Sequence, residues 1–587
     1  MNRKPILVAI TLLGLLVLAG CGSGGSAGIV VQLTNVPATL TVNQSVSLTA
    51  TVSNDSSTGN LNWSCTPSGS CGTFSPATTA NGGATSYTAP NAPGSVTIVA
   101  TDADHTGSTA SATISVVAVG SNGELTGNYV FFAEGTDSNG LYVVTGTIVT
   151  DGNGNITSGE QDYADPVTDA GPDSITGNYS IAASGQASLT LNVNDITLPN
   201  NGVETFSAAL TSATHGFVIE FDGAATSSGT LDFQPTATPI TAASIVGSYA
   251  FAVNGIDSSE SPAALGGVVS INASTGLVPS GTVYVNDSGS PETVSISGSV
   301  TGPDSFGRGT ISLSGLAYTY YAVQGEVLRT VEADADFLAG GAFYGQGTAG
   351  ANSSFSNSSL SGPYAFYESG SSVNGSLALG GQFTAASGTL SAGFADTNDG
   401  GTYEKGSIAN SPYSIPGNGS GTLTLPGTPS TTEDVSALLI FATDPALNLL
   451  DPNNTSGGGG ALILDNDANA VGTGLIVPQV TGAFQGNYAV NLQFFPSAGG
   501  EEDFVGQTTQ SGGSFMGTVD LNDNGVTASG TSFAGTSTAD TTNVGRYTGK
   551  FTVGANSYNI TYYQVNSGEL LIIDTDSNVG NGFMESQ

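Results

Sequence analysis

Four six-residue stretches of the chain repeat one phrase, and they decide its architecture. They are GNYVFF (127–132), GSYAFA (247–252), GPYAFY (362–367) and GNYAVN (486–491), and their first glycines lie 120, 115 and 124 residues apart. Residues at i and i+2 share one face of a β-strand, because successive side chains alternate. Each phrase therefore predicts the first strand of a module, with its Tyr and Phe facing inward; the fourth copy has Val490 in place of the Phe. A module that occurs four times indicates a domain array.

Each module also ends on a glycine and a glutamine five positions apart. These pairs are Gly229 and Gln234, Gly341 and Gln346, Gly474 and Gln479, and Gly582 and Gln587. Between the two landmarks lie about eight strand-length segments joined by short turns, a pattern typical of consecutive hairpins. Eight such strands can close into a small up-and-down barrel, which removes the exposed edges of the sheet. We therefore expect the strand of Tyr129 to hydrogen-bond to the strand of Leu231. A two-sheet sandwich is the alternative.

The predicted fold class is all-β throughout: an Ig-like β-sandwich followed by four tandem antiparallel meander modules. The predicted segments are a leader (1–20), a flexible tether (21–28), the sandwich (29–119) and four repeats (120–235, 244–347, 359–480 and 483–587).

The N-terminus has the order of parts of a secretion signal. Arg3 and Lys4 precede an apolar run (6–18) that is too short to span a bilayer comfortably, and Leu-Ala-Gly-Cys closes it at Cys21. This stretch resembles the lipobox of bacterial lipoproteins, which implies cleavage before Cys21 and acylation of that residue. Several acyl chains hold a protein firmly at a membrane. Gly22 rather than Asp follows, which implies the outer membrane or cell surface. An ordinary secretory leader containing a cysteine is the alternative.

The segment after the tether resembles bacterial immunoglobulin-like domains of the group 2 type. The resemblance is carried by VPATLTVNQSVSLTATV (36–52), LNWSC (61–65) and GSVTIVATD (94–102). It implies a two-sheet sandwich acting as a spacer or adhesion module, with Trp63 in its core. Outside the cytoplasm, Cys65 and Cys71 are expected to pair. So short a loop predicts a local staple rather than a large gain in stability.

The charge balance limits the classes of partner. The sequence has 46 Asp and Glu against 7 Lys and Arg, a formal net charge of −39. Nucleic-acid binding depends on cations that neutralise phosphates, so nucleic acid is excluded as a partner. The acidic surplus is explained by solubility of a repetitive β protein.

One acidic feature recurs near the end of every module. The pairs are Glu220 and Asp222, Glu332 and Asp334, Asp465 and Asp467, and Asp574 and Asp576. Carboxylates at i and i+2 of a strand lie on one face about 7 Å apart. They repel one another, and a hard cation relieves that repulsion, so calcium is the candidate cofactor. The other interpretation is that these are solvated residues at a hairpin turn, where Asp is favoured.

Catalytic motifs are sparse. The two histidines, His105 and His215, do not repeat and are predicted to be surface or turn residues. The sequence therefore offers few residues from which a Ser-His-Asp or zinc site could be built. A Gly-x-x-Asp motif fails in the second repeat, where Tyr284 replaces the aspartate, which indicates packing or turn chemistry. A carboxylate-based glycosidase needs only two acids and stays as a lesser alternative.

The sequence thus predicts a non-catalytic, lipid-anchored protein of the cell envelope. Its expected role is structural or adhesive, with a glycan, the matrix or a surface protein as partner. The alternative is a carrier that holds a small apolar ligand inside the barrels, because eight-stranded barrels can enclose one.

Overall fold

The structure is a computed structural model. It describes residues 28–34, 36–37, 39–55, 59–117, 120–236, 239–334, 336–347, 354–425, 437–454, 457–496 and 500–587. The predicted leader, Cys21 and all but the last residue of the tether lie outside the described residues. Within these ranges no helix is long and apolar enough to cross a membrane.

A β-sandwich opens the described chain. Its strands are β1 (Val30–Thr34), β2 (Thr39–Thr41), β3 (Ser45–Ser53), β4 (Leu61–Thr66), β5 (Thr73–Ser75), β6 (Thr78–Thr79), β7 (Ala84–Thr88), β8 (Gly94–Asp102) and β9 (Thr109–Val117). One sheet has the order β1-β3-β7-β5 and the other β2-β9-β8-β4-β6, with β2 parallel to β9. Trp63 lies in the core between them and stacks on Phe74 with ring centres 5.9 Å apart. The expected disulfide joins Cys65, at the end of β4, to Cys71.

The first two repeats each form a closed eight-stranded barrel. The strands of the first are β10 (Thr126–Asp137), β11 (Gly140–Asp151), β12 (Asn155–Ala164), β13 (Asp169–Ile181), β14 (Gln186–Val193), β15 (Val203–Leu210), β16 (His215–Glu220) and β17 (Ala225–Gln234). Those of the second are β18 (Gly247–Asp257), β19 (Pro262–Ile271), β20 (Leu277–Asp287), β21 (Ser290–Thr301), β22 (Arg308–Leu313), β23 (Leu316–Gln324), β24 (Val327–Ala333) and β25 (Phe337–Gly345).

The third and fourth repeats are barrels of the same order. The third has β26 (Gly362–Ser372), β27 (Gly375–Ala386), β28 (Thr389–Asp399), β29 (Thr402–Ile408), β30 (Ser411–Ser414), β31 (Ser420–Thr424), β32 (Ala437–Ala442), β33 (Ala461–Asp465) and β34 (Ala470–Pro478). Here β29 and β30 both pair with β28 and share the fourth place in the barrel. The fourth has β35 (Gly486–Pro496), β36 (Glu502–Ser511), β37 (Ser514–Asp523), β38 (Val526–Ala539), β39 (Arg546–Val553), β40 (Asn556–Gln564), β41 (Glu569–Asp574) and β42 (Asn578–Ser586). Single helical turns occur at Asn122–Glu124, Pro199–Gly202 and Asn357–Ser359.

The predicted closure of the barrels is confirmed. In the first barrel β10 pairs with β17, so that Tyr129 lies opposite Phe233 and Phe131 opposite Leu231. The Tyr and Phe of the repeated phrase point inward as predicted; Tyr129 is 1% exposed and Phe131 4%. Apolar and aromatic side chains fill all four interiors. A core of this kind stabilises the barrel by burying apolar surface.

The barrels pack into a closed ring rather than a linear string. The second strand of each barrel lies against late strands of the next: β11 on β23 and β24, β19 on β33 and β34, and β27 on β41 and β42. The second strand of the last barrel, β36, lies in the same way on β15, β16 and β17 of the first. A head-to-tail interface whose rotation closes after four copies makes a ring. We call each of the four interfaces a joint.

Candidate functional site

The terminal glutamines of the repeats form the joints. Gln234 donates from Nε2 to the carbonyls of Phe306 and Ala322 in the second barrel, at 2.9 and 2.7 Å. Gln346 and Gln479 do the same to the third and fourth barrels, and Gln587 of the fourth donates to Leu210 of the first at 2.9 Å. The main acceptors occupy one position at the end of the sixth strand, namely Ala322, Ala442, Gln564 and Leu210. The repeated glutamine therefore fixes how one barrel docks on the next.

The repeated glycines serve closure of each barrel. A Cβ on Gly229 would lie 1.8 Å from the carbonyl oxygen of Phe132, and one on Gly474 would lie 1.9 Å from that of Tyr367. A Cβ on Gly341 or on Gly582 would lie 2.3 Å from a backbone carbonyl oxygen of the first strand of the same barrel. Such distances admit no side chain, so the last strand can approach the first only with glycine here.

Asparagine side chains make a second contact at three of the joints. Asn286, Asn398 and Asn522, each in the third strand of its barrel, donate from Nδ2 to backbone carbonyls around the acidic pair of the next barrel. Asn522 reaches Glu220 O and Ala225 O, both at 2.8 Å. In the first barrel Ala164 occupies the equivalent position, so the joint to the second barrel lacks this contact.

The acidic pairs predicted as calcium sites or solvated turn residues therefore lie at the joints, and their first members are not solvated. The four first members, Glu220, Glu332, Asp465 and Asp574, are at most 2% exposed. Burial, with the neighbouring carboxylate, raises the pKa of Glu332 to about 10 and that of Asp574 to about 9. Burial likewise raises the pKa of Asp465 to about 6 and that of Glu220 well above its usual value. Burial thus favours the neutral form of each of these carboxyls, more strongly for Glu332 and Asp574 than for Asp465.

The second members of the pairs bind the backbone of the hairpin. Asp222 accepts hydrogen bonds from the N–H of Ala224 at 2.8 Å and of Thr205 at 3.1 Å. Asp334, Asp467 and Asp576 accept backbone N–H groups in the same region. Across the described part of the chain, none of the eight acids belongs to a cluster of three or more possible metal ligands. The geometry therefore favours turn capping over a calcium shell of six or more oxygens.

A cluster of that size does occur in the sandwich. Carboxylate oxygens of Asp55 and Asp102 and an imidazole nitrogen of His105 lie within 4.8 Å of one another, and it is the one such group among the described residues. His105 Nδ1 lies 3.3 Å from Asp102 Oδ2 and 3.6 Å from Asp55 Oδ1, so contacts within the group account for the arrangement. Asp102 also caps its own turn by accepting the N–H of Asp104.

The aspartate of the Gly-x-x-Asp motif, which is present in three of the four repeats, contacts the next barrel of the ring. Asp162 receives a fork of two 2.6 Å bonds from Arg308 of the next barrel and a third from the hydroxyl of Tyr321. Asp396 receives the same fork from Arg546.

Where the sequence has Tyr284 instead, the facing residues also change. Ser420 stands in place of the arginine, and Phe441 stands in place of the tyrosine. The centre of the Phe441 ring lies 5.8 Å from that of Tyr284. Asp520 of the last barrel faces Gln186 and Ser207 of the first. Two joints thus carry the same Asp–Arg contact, whereas the other two carry different partners, and this difference helps barrels to select their proper neighbours.

A cavity of about 220 Å³ lies where the four barrels meet. Its wall includes the four repeated glycines and residues from the first and last strands of every barrel. Aromatic rings form one part of the wall: Phe583 lies 5.1 Å from Tyr367, edge to face, and 6.3 Å from Phe217, stacked. Phe132 and the carboxyl of Glu134 complete this part.

A loop of the third barrel closes one end of the cavity. The segment 443–460, which we call the plug loop, joins β32 to β33, and its residues 455–456 lie outside the described part of the chain. It contacts all three other barrels: Asn453 donates to Thr214 O, Gln324 donates to Pro452 O, and Asn448 donates to Glu569. Leu449 and Leu450 of this loop line the cavity and are buried.

Beside the plug loop lies a buried charge cluster that the sequence analysis missed. His215, predicted at the surface, is 1% exposed; its Nδ1 lies 2.7 Å from Asp232. Arg329 of the second barrel donates twice to Asp232 and, outweighing burial, lowers its pKa to about 2. Burial lowers the pKa of His215, but nearby carboxylates, above all Glu585 and Asp451, outweigh burial and raise it well above its usual value. No repeat pattern could reveal this cluster, because each barrel contributes different residues.

Comparison with known proteins does not assign the chain to a family. No family model matches it, and no curated protein does. Among solved structures, kievitone hydratase from Nectria haematococca is 10% identical, over 41% of this chain and 94% of that protein, with a TM-score of 0.17. An AttH protein from Nitrosomonas europaea is 10% identical, over 60% and 92%, with a TM-score of 0.15. At TM-scores this low the likeness carries no argument about function.

Proposed function

We propose that the chain is a lipid-anchored protein of the cell envelope whose ring of barrels is a rigid, non-catalytic binding head. The sandwich is its Ig-like spacer, and the partner is a glycan, the matrix or another surface protein. The observation that carries this proposal is the closed ring. The repeated glutamines hold the joints, and the repeated glycines allow each barrel to close. Selection for a fixed arrangement of four barrels suits a scaffold that presents a surface.

The residues available for chemistry support a non-catalytic role. The one histidine of the ring, His215, is buried between Asp232 and Glu585, and its Nδ1 is taken by Asp232. In each acidic pair that a glycosidase could use, the first acid is buried at a joint, and the second is occupied by backbone N–H groups of the hairpin. General acid–base catalysis requires a group within reach of the substrate.

The filled barrel interiors weigh against the carrier alternative. Tyr129, Tyr249 and Tyr488 are each at most 1% exposed inside their barrels, and Tyr129 and Tyr488 pack against other aromatic rings there. A ligand inside a barrel would have to displace these rings, which costs the burial energy of large side chains. The central cavity lies between the barrels instead.

Membrane attachment is tested by fractionation. The full chain is expressed in a Gram-negative host, and Cys21→Ser is compared with Ser23→Ala, a matched change two residues away. We expect the parent chain and Ser23→Ala in the outer-membrane fraction and Cys21→Ser in the soluble fraction. Recovery of Cys21→Ser in the membrane would contradict the anchor.

Surface binding is tested with the soluble chain (residues 22–587), fluorescently labelled and applied to immobilised envelope polysaccharides and matrix proteins. The control is the ring-opening variant Asn522→Ala with Gln587→Ala, which keeps the net charge. Retention of the parent chain that is lost with the variant supports a ring-dependent binding head. The absence of retention on every surface would refute the adhesive role.

A further inference from the structure

The geometry points to the central cavity as a binding site for a small organic ammonium compound that also carries a hydrogen-bond acceptor. This inference deepens the proposed function, because it gives the binding head a ligand at the centre of the ring. It rests on a carboxyl, an aromatic wall and an amide donor that converge on one space.

The carboxyl belongs to Glu134 on β10. Among the described residues no hydrogen bond or ion pair to this carboxyl is present, although its backbone carbonyl accepts from Gln493 at 3.4 Å. Its Oε2 would lie 2.5 Å from a Cβ on Gly340, so the glycine makes room for the carboxyl in the wall. Burial raises the pKa of Glu134 to about 7. An acid without a partner inside a protein is costly, and a bound cation removes that cost.

The aromatic wall supplies the second element. Phe132, Tyr367 and Phe583 line the same cavity as Glu134, and Tyr367 is close enough for the Glu134 charge to raise its pKa further after burial. Aromatic faces attract cations, most strongly when water is excluded, and cages of rings recognise substituted ammonium groups. The cation in the same wall, Arg329, is already paired with Asp232, so the ring faces beside the Glu134 carboxylate favour an ammonium over a neutral or anionic ligand.

The amide donor is Asn491 on β35. This residue is 4% exposed; its Oδ1 accepts from Ser228 at 2.8 Å, and its Nδ2 is buried with no partner among the described residues. A buried donor without an acceptor costs free energy that a ligand oxygen would recover. The ligand should therefore carry a hydroxyl or carbonyl group near its ammonium.

The cavity has suitable size and one open end. A cavity of about 150 Å³ accommodates benzene, so the 220 Å³ here suits a compact molecule somewhat larger. Leu449 and Leu450 of the plug loop and Tyr344 are buried at one end, whereas Glu134, Asn254 and Ser369 at the other end are partly exposed. Entry is therefore expected from the end opposite the plug loop.

The test is calorimetric titration of the soluble chain (residues 22–587) with choline and with its neutral isostere 3,3-dimethyl-1-butanol. The two probes have the same shape and differ in charge. We expect choline to bind at least about tenfold more tightly, which is the effect of a desolvated cation–π contact and a carboxylate. Equal affinity for the two probes, or no binding of choline at tens of millimolar, would overturn the inference.

Variants locate the site. Glu134→Gln should remove the preference for choline, whereas Glu292→Gln, an exposed acid on β21 of the second barrel, should keep it. If Glu134→Gln does not fold, Tyr367→Leu gives a second test, with choline affinity reduced severalfold. A preference for choline that survives in a folded Glu134→Gln protein, or an unchanged choline affinity in a folded Tyr367→Leu protein, contradicts the site. A negative titration together with positive surface binding would overturn this inference and leave the binding head in place.

Discussion

The joint between the fourth and first barrels offers the sharpest test of the ring, because no peptide connects the two barrels there. We predict that Asn522→Ala combined with Gln587→Ala opens this joint. The substitutions remove the donors to Glu220 O and Ala225 O at 2.8 Å and to Leu210 O at 2.9 Å. Each hydrogen bond contributes about 0.5–1.5 kcal/mol, and an orphaned buried carbonyl costs about 1–3 kcal/mol. The expected loss is therefore about 3–6 kcal/mol, or a hundredfold or more in the opening equilibrium.

The assay uses a buried thiol as the reporter. Val505 is fully buried at this joint, against Ala209, Phe217 and Ile219 of the first barrel. In the soluble chain (residues 22–587) the two native cysteines form the disulfide, so Val505→Cys supplies one free thiol. We expect the double variant to accelerate maleimide labelling of this thiol by about a hundredfold or more.

The matched control makes the same change at a joint whose barrels stay connected by the chain. Asn286→Ala with Gln346→Ala removes equivalent contacts between the second and third barrels. Labelling of Val505→Cys should stay within a few-fold of the parent rate in this control. An unchanged rate in the test variant, or equal acceleration in both, would refute the assignment of these contacts to ring closure.

Three further results are expected. The thermal midpoint should fall from pH 5 to pH 9, because carboxyls such as Glu332 (pKa about 10) and Asp574 (about 9) bind protons more tightly when folded, and that stability is lost as pH rises through the folded pKa. Calcium at millimolar concentration should leave the midpoint in EDTA unchanged, because the acidic pairs cap turns. Asp396→Asn should cost about 1.5–3 kcal/mol in urea unfolding, because it removes the carboxylate that accepts two hydrogen bonds from Arg546, whose guanidinium then keeps the carboxylate of Asp540.

Each of these results has an outcome that contradicts it. A midpoint that rises between pH 5 and pH 9 would mean that the buried acids are ionised in the folded protein. A rise of several degrees with calcium but not magnesium would restore the acidic pairs as metal sites. A urea midpoint of Asp396→Asn equal to that of Asp399→Asn, a substitution nearer the end of the same strand, would show that the fork to Arg546 contributes nothing.

The local order of the chain could be predicted because it depends on short-range rules. Alternation of Tyr129 and Phe131 determines which face of the strand is buried, and the four repeated phrases give the number of barrels. The terminal glutamine of each repeat is visible in the sequence as a landmark of the module, but its role in docking one barrel on the next is not. Its acceptor lies in the next barrel, and a repeat pattern contains no information on what a side chain meets across an interface.

The cavity and its charges could not be predicted for the same reason. Glu134, Asn491, Tyr367 and Phe583 come from three barrels; Tyr367 and Asn491 end two of the repeated phrases, but the residue at that position differs in every copy. His215 is also unrepeated, and its burial arises only when the plug loop and Glu585 are brought beside it.

By itself, therefore, the sequence determined the elements that repeat: strand faces, barrel number and the glycines that allow a first and a last strand to meet. Only the tertiary structure decided that the barrels form a ring. Ring closure depends on the angle between neighbouring barrels, which arises from many side chains packing at once. The acidic pairs show the difference most clearly, because their spacing is visible in the sequence, whereas their burial depends on a neighbour more than a hundred residues away.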